Sequence, residues 1–153
     1  MKTPRTKNNT RGKKICVVAS RFNDFISEKL LAGCLDELTK QGVKKDQILT
    51  HWVPGSFEIP VVALKCALKK STVAVICLGA VIRGETLHFE HIARCAADGI
   101  KEVALLTKKP IIFGVLTTDT VDQAEKRCQV KGPNKGREAA QAALDMIDLF
   151  KQL

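Results

Sequence analysis

Arg83, Gly84, Glu85, Thr86 and His88 follow directly on an apolar run, "TVAVICLGAVI", that ends at Ile82. A glycine after a strand lets the chain turn tightly and leaves amide hydrogens facing outward. A helix opening just beyond adds its dipole, and the two together make a seat for an anion. The Thr86 hydroxyl can add a further donor. The same residues also read as an ordinary capped helix start, with Thr86 or Glu85 near the N-cap. Neither GxxxxGK[ST] nor GxGxxG occurs, so this is not a nucleotide loop of either familiar kind. His88 falls in the first helical turn, where it can carry a proton for a leaving phosphate near neutral pH. Against that stands the commoner role of a lone histidine as a structural or surface residue. His91 completes an H-x-x-H, a weak metal signal, and His88 is preferred because it lies closer to the loop.

Three other stretches offer chemistry. Phe22 in "SRFND" and Phe57 in "PGSFEIP" sit outside any periodic core pattern, so either ring could stack on a planar heterocycle or plug the core. Gly55, Ser56, Phe57 and Glu58 present backbone amides at a helix start. Phe113, within "PIIFGVLTT", reads as core when judged alone. Arg127, Lys131, Lys135 and Arg137 form a basic cluster that Gly132, Pro133 and Gly136 break into a loop. That loop is either a solvated face or a way of presenting charge to a phosphate.

The elements that must position these residues alternate. "KICVVAS" (Lys14–Ser20), "QILTHWV", "TVAVICLGAVI" and "PIIFGVLTT" are strands by length and β-rich composition. Helices fall between them. Leu30, Cys34 and Leu38 recur at helical spacing, with Gly42 as the stop. "EIPVVALKCALKK" carries Pro60 in its first turn, and Ile92, Ala96, Ile100 and Val103 form one stripe. "TVDQAEKRC" is a short helix, and a last one places Ala143, Ile147 and Phe150 on one face. The expected fold is therefore a three-layer α/β/α domain of the flavodoxin-like kind, with a four-stranded, mainly parallel sheet and helices on both faces. In such sheets, sites gather where strand ends lead into helices, which is where the unusual loops lie.

At 153 residues the chain suits a single domain over residues 14–153, preceded by a basic flexible tail over residues 1–13. The tail carries much of the formal net charge of +9, which weakens a nucleic-acid reading of that charge. No apolar run spans a bilayer, and the N-terminal stretch is no secretory signal, so a cytoplasmic protein with no membrane partner is expected. Cys16, Cys34, Cys66, Cys77, Cys95 and Cys128 are scattered without a CxxC. They read as buried free thiols in a reducing compartment, with no metal site expected.

Taken in order and spacing, "RFN", "VPGSFEIP", "GAVIRGETLHFEHIA", "PIIFGVLTTDTVDQAEKR" and "NKGREAA" resemble the lumazine synthase family from about Ile15 to the C-terminus. The resemblance implies riboflavin biosynthesis. 5-Amino-6-(D-ribitylamino)uracil and 3,4-dihydroxy-2-butanone 4-phosphate condense to 6,7-dimethyl-8-ribityllumazine, releasing phosphate and water, without cofactor or metal. It places Phe22 over the pyrimidine, Ser56, Phe57 and Glu58 on the ribityl side, and backbone groups of Ala80, Val81 and Ile82 at the uracil edge. Glu85, Thr86 and Arg127 would seat the phosphate, and His88 would carry protons. Phe113 and Lys135 would complete the pocket from a neighbouring subunit, which reverses the core reading of Phe113. A homo-oligomer is implied, a pentamer at least and in some relatives a decamer or sixty-subunit shell. The first strand is expected to pair with an adjacent subunit's sheet. Leu87 and Pro133 depart from the family pattern, the second within a loop near subunit contacts. Two other readings stand beside this one: a catalytically silent shell protein of the same fold, and a nucleic-acid binder acting through the tail.

Overall fold

The computed structural model describes residues 12–153, so the basic segment read as a tail lies outside it except for Gly12 and Lys13. Strands β1 (Lys14–Ser20), β2 (Ile48–Val53), β3 (Thr72–Ile82) and β4 (Ile111–Thr118) alternate with α1 (Asp24–Lys40), α2 (Ile59–Ala67) and α3 (His88–Thr107). The chain closes with α4 (Val121–Glu125) and α5 (Lys135–Phe150). The sheet order is β2-β1-β3-β4 and every neighbouring pair is parallel. Parallel pairing demands a crossover between successive strands, and the helices supply it.

Both faces of the sheet are covered. Ala74, Ile76 and Leu78 of β3 turn to one apolar cluster with Leu30, Cys34 and Leu38 of α1 and Ala140, Ala143 and Ile147 of α5. Val75 and Cys77 turn to the other, with Ala63 of α2 and Ile100 and Val103 of α3. A strand buried on both sides has no polar alternation to show, which is why β3 is an unbroken apolar run. The α5 stripe ends early, since Phe150 is exposed beyond the buried Ala143 and Ile147. Helices α1 and α5 meet closely at Gly136, where an added Cβ would overlap the Leu30 carbonyl. Gly42, at φ +95°, follows α1 in the left-handed region that glycine tolerates best.

The sheet order corrects one expectation. β1 lies between β2 and β3, so both its edges are occupied and it has none to offer an adjacent subunit. The order also fixes where a ligand belongs. From β1 the chain moves outward to β2 and then returns to lay β3 on β1's other side, so the connections diverge and open a crevice at the carboxyl ends of β1 and β3. Among the described residues, no helix is long and apolar enough to cross a membrane. Cys95 is exposed, which departs from the reading of all six cysteines as buried, whereas the other five are buried.

Candidate active site

A cleft of about 670 Å³ occupies that crevice, a size typical of small-molecule sites. Phe22 enters it from the loop after β1, where Arg21 N–H donates to Val53 O at 2.8 Å and Phe22 N–H to Pro54 O at 3.0 Å. The loop is thereby zipped to the end of β2. Asn23 then turns left-handed at φ 61° and its Nδ2 donates to Ala80 O at 2.9 Å, tying the same loop to the end of β3. Asparagine is among the few residues that adopt this conformation at modest cost. Phe22 is 72% exposed and Phe57 58% exposed. Rings left this open at a cleft do not plug the core.

Ser56, Phe57 and Glu58 form a 3₁₀ turn that leads into α2, and all three line the cleft. Ser20, Ser56 and Gly79 let this turn settle on the sheet, because a Cβ at Gly79 would come within 2.5 Å of Ser20 Oγ and 3.0 Å of Ser56 Oγ. Ala80, Val81 and Ile82 supply the floor at the end of β3. Beyond them Gly84 and Thr86 line the rim. A Cβ at Gly84 would meet no protein atom within 4 Å, and its backbone is not left-handed. The fold does not require a glycine there, whereas a ligand approaching the backbone would. Thr86 Oγ1 accepts a long 3.4 Å hydrogen bond from His88 N–H, so the hydroxyl also helps to cap α3. His88 lines the cleft and His91 does not.

Arg83 had no role in the sequence reading, yet it braces the rim. Its Nε donates to Asp119 Oδ1 at 2.7 Å, Nη1 lies 3.7 Å from Glu90 Oε1, and the guanidinium sits 4.8 Å from the centre of the Phe89 ring. The hydrogen bond to Asp119 holds its pKa above even the ordinary arginine value. A fixed cation thus joins the ends of β3 and β4 to the first turn of α3. Phe89 and Ile92 line the apolar side of the cleft beside it. Asn23, Arg83, Phe89 and Ile92 are therefore additions to the residues singled out from sequence. Asn23, an asparagine in a strand-end turn, and Arg83, a charge directly after an apolar run, each carried a local signal; Phe89 and Ile92 did not.

Four expected site residues stand apart from this chain's cleft: Glu85, Phe113, Arg127 and Lys135. Phe113 is 47% exposed on edge strand β4, so the reading of it as core is wrong. Arg127 follows α4, with Nη1 donating back to Gln123 O at 2.9 Å. Its carbonyl accepts from Lys135 N–H at 2.8 Å, and Lys135 Nζ reaches Glu138 Oε2 at 2.7 Å. The two basic residues are neighbours, and the aromatic lies on the adjacent edge strand.

The family model for 6,7-dimethyl-8-ribityllumazine synthase matches residues 12–151. The chain belongs to that family. A relative from Protochlamydia amoebophila (strain UWE25), described as 6,7-dimethyl-8-ribityllumazine synthase, is 50% identical over 153 residues, covering 100% of this chain and 89% of the relative. Lumazine synthase membership thus extends over the whole parallel α/β/α arrangement and every loop that forms the cleft.

Proposed function

We propose that the chain is a 6,7-dimethyl-8-ribityllumazine synthase, a transferase of riboflavin biosynthesis that joins 5-amino-6-(D-ribitylamino)uracil to 3,4-dihydroxy-2-butanone 4-phosphate. The observation that carries this reading is the convergence of Phe22, the Ser56–Glu58 turn, the end of β3 and His88 on one crevice, in a chain of this family. Phe22 stacks on the pyrimidine, and Ala80, Val81 and Ile82 meet its edge through backbone groups. Ser56, Phe57 and Glu58 hold the ribityl chain. The phosphate sits at Gly84, Glu85 and Thr86, with Arg127 as its countercharge.

The amine attacks the ketone to give an imine and a first water, phosphate is eliminated to leave an enol that becomes a ketone, and the ring closes as the ribitylamino nitrogen attacks that carbonyl and a second water leaves. His88 moves the protons. Two reactants that already react slowly in water need chiefly to be held in register. Orientation alone supplies up to roughly 7–11 kcal/mol in ideal cases, and a positioned acid–base adds about 10²–10⁴-fold. No step needs a metal or organic cofactor.

One chain does not hold every part. Phe113, Arg127 and Lys135 are exposed and lie outside the cleft of their own chain. Leu105 and Leu106 of α3 are also exposed, at 71% and 66%. Apolar side chains left open in this way suit contacts between copies. A homo-oligomer, a pentamer at least, brings these three residues to the next copy's cleft. Residues 14–153 form the catalytic domain, with the basic segment 1–13 outside it, and unpaired cysteines fit a reducing, cytoplasmic setting. The test is turnover of the two substrates, followed by lumazine absorbance against the uncatalysed rate. Acceleration that Arg127→Ala cuts at least 100-fold is expected. A folded oligomer no faster than the uncatalysed control would overturn the proposal in favour of a silent shell.

A further inference from the structure

Away from the cleft, three residues distant in sequence converge beneath α2. Cys16 on β1, His51 on β2 and Cys66 in the last turn of α2 bring their ligand atoms within 4.8 Å of one another. None of them lines the active-site cleft. The His51 Nε2 atom is buried and has no hydrogen-bond partner. A buried polar atom left so is costly and calls for an explanation. Thr72 Oγ1 lies 3.6 Å from Cys16 Sγ, close enough to share a hydrogen bond with that sulfur. Two thiols, an unpartnered imidazole nitrogen and an outer hydroxyl are the parts of a thiophilic metal site.

We infer that Cys16, His51 and Cys66 form a structural site for a thiophilic divalent cation of the zinc class, clamping α2 to the β1–β2 edge of the sheet. The ligand atoms of a tetrahedral zinc site lie roughly 3.5–4 Å apart, given Zn–S bonds of about 2.3 Å and Zn–N bonds of about 2.0 Å. Small side-chain movements bring the three atoms to that spacing. Charge selects the ion. Two thiolates and a neutral imidazole carry two negative charges, which a divalent cation cancels, whereas a monovalent one would leave net charge among apolar residues. Binding replaces two S–H bonds with two S–metal bonds and releases two protons to solvent, while His51 Nε2 donates its lone pair.

Full-length oligomer, reduced with a phosphine and stripped of metal, is titrated with Co²⁺ and then Zn²⁺. Expected are one Co²⁺ per chain, thiolate-to-cobalt absorption in the near ultraviolet, displacement by Zn²⁺, and a melting temperature raised by Zn²⁺. Cys66→Ser should abolish the band, and His51→Gln should weaken binding at least 10-fold. The exposed-thiol control Cys95→Ser should change neither. No thiolate band in the wild-type protein would overturn the assignment. So would a band that survives Cys66→Ser, or binding that is lost only on substituting His91 at the surface. Should Cys66→Ser fail to fold, X-ray absorption of the zinc-loaded wild type decides. Two sulfurs with one nitrogen support the site, and a shell of nitrogen and oxygen alone overturns it.

Discussion

Gly84→Ala separates what the fold needs from what the ligand needs. A methyl group at this position meets no protein atom within 4 Å, and Gly84 is not in the left-handed region. Folding stability should therefore change by no more than about 0.5 kcal/mol, or rise by about 0.4–1 kcal/mol as the unfolded chain loses freedom. The open space belongs to the proposed phosphate seat, where backbone amides donate to an anion. Losing one hydrogen bond to a charged group costs about 1.5–3 kcal/mol, a factor of roughly 10–150. The assay pairs thermal unfolding with the dependence of rate on the butanone phosphate concentration. A melting temperature unchanged or raised by a few degrees is expected, with kcat/KM down at least 10-fold and most of the loss in KM for the phosphate-bearing substrate. Gly79→Ala is the converse, because its Cβ would meet Ser20 Oγ at 2.5 Å in the packed interior. Overpacking of this kind costs about 1–3 kcal/mol, so Gly79→Ala should lower the melting temperature. If Gly84→Ala keeps kcat/KM within twofold of wild type, no anion approaches that backbone and the seat is misplaced.

Three further outcomes follow from single contacts. Gly136→Ala should destabilise by about 3 kcal/mol, despite the usual gain of about 1 kcal/mol for this change in a helix, because the new Cβ falls on the Leu30 carbonyl where α1 meets α5; chemical denaturation reads it. Asn23→Gly should keep the left-handed turn but lose the hydrogen bond to Ala80 O, costing about 1 kcal/mol, whereas Asn23→Ala should cost a further 1 kcal/mol or so for its backbone; equal losses in the two variants would refute the role given to φ 61°. His88→Ala should leave a slow enzyme, down 10²–10⁴-fold or less in kcat, and a deeper fall with folding intact would mean that orientation contributes less than proposed.

What could be read from the sequence was whatever is local in the chain. β3 spans Thr72–Ile82, the whole of the apolar run, because a strand covered on both faces advertises itself without reference to any neighbour. The site loops stood out for a related reason: a parallel sheet sends its ligand to strand ends, so polar residues breaking an apolar run mark the place. Sheet order was not local. Nothing near Lys14 says that β1 lies between β2 and β3, and the same crossing brings Cys16 to His51 and Cys66, three residues whose spacing matches no metal motif. Arg83 shows the intermediate case, since its type and place were visible but its partner Asp119 arrives only when β4 pairs with β3. Phe113 is the informative failure. An aromatic in an apolar strand reads as core, yet it is 47% exposed on an edge strand. Inside one chain that placement has no rationale, because the ring gains nothing from solvent. The proposed homo-oligomer would give it one beside a second copy's cleft, and would do the same for Arg127, whose Nη1 in its own chain donates back to Gln123 O. A site completed between copies, as proposed, would leave such a trace in a single chain: aromatic and basic residues held in place, with their targets elsewhere.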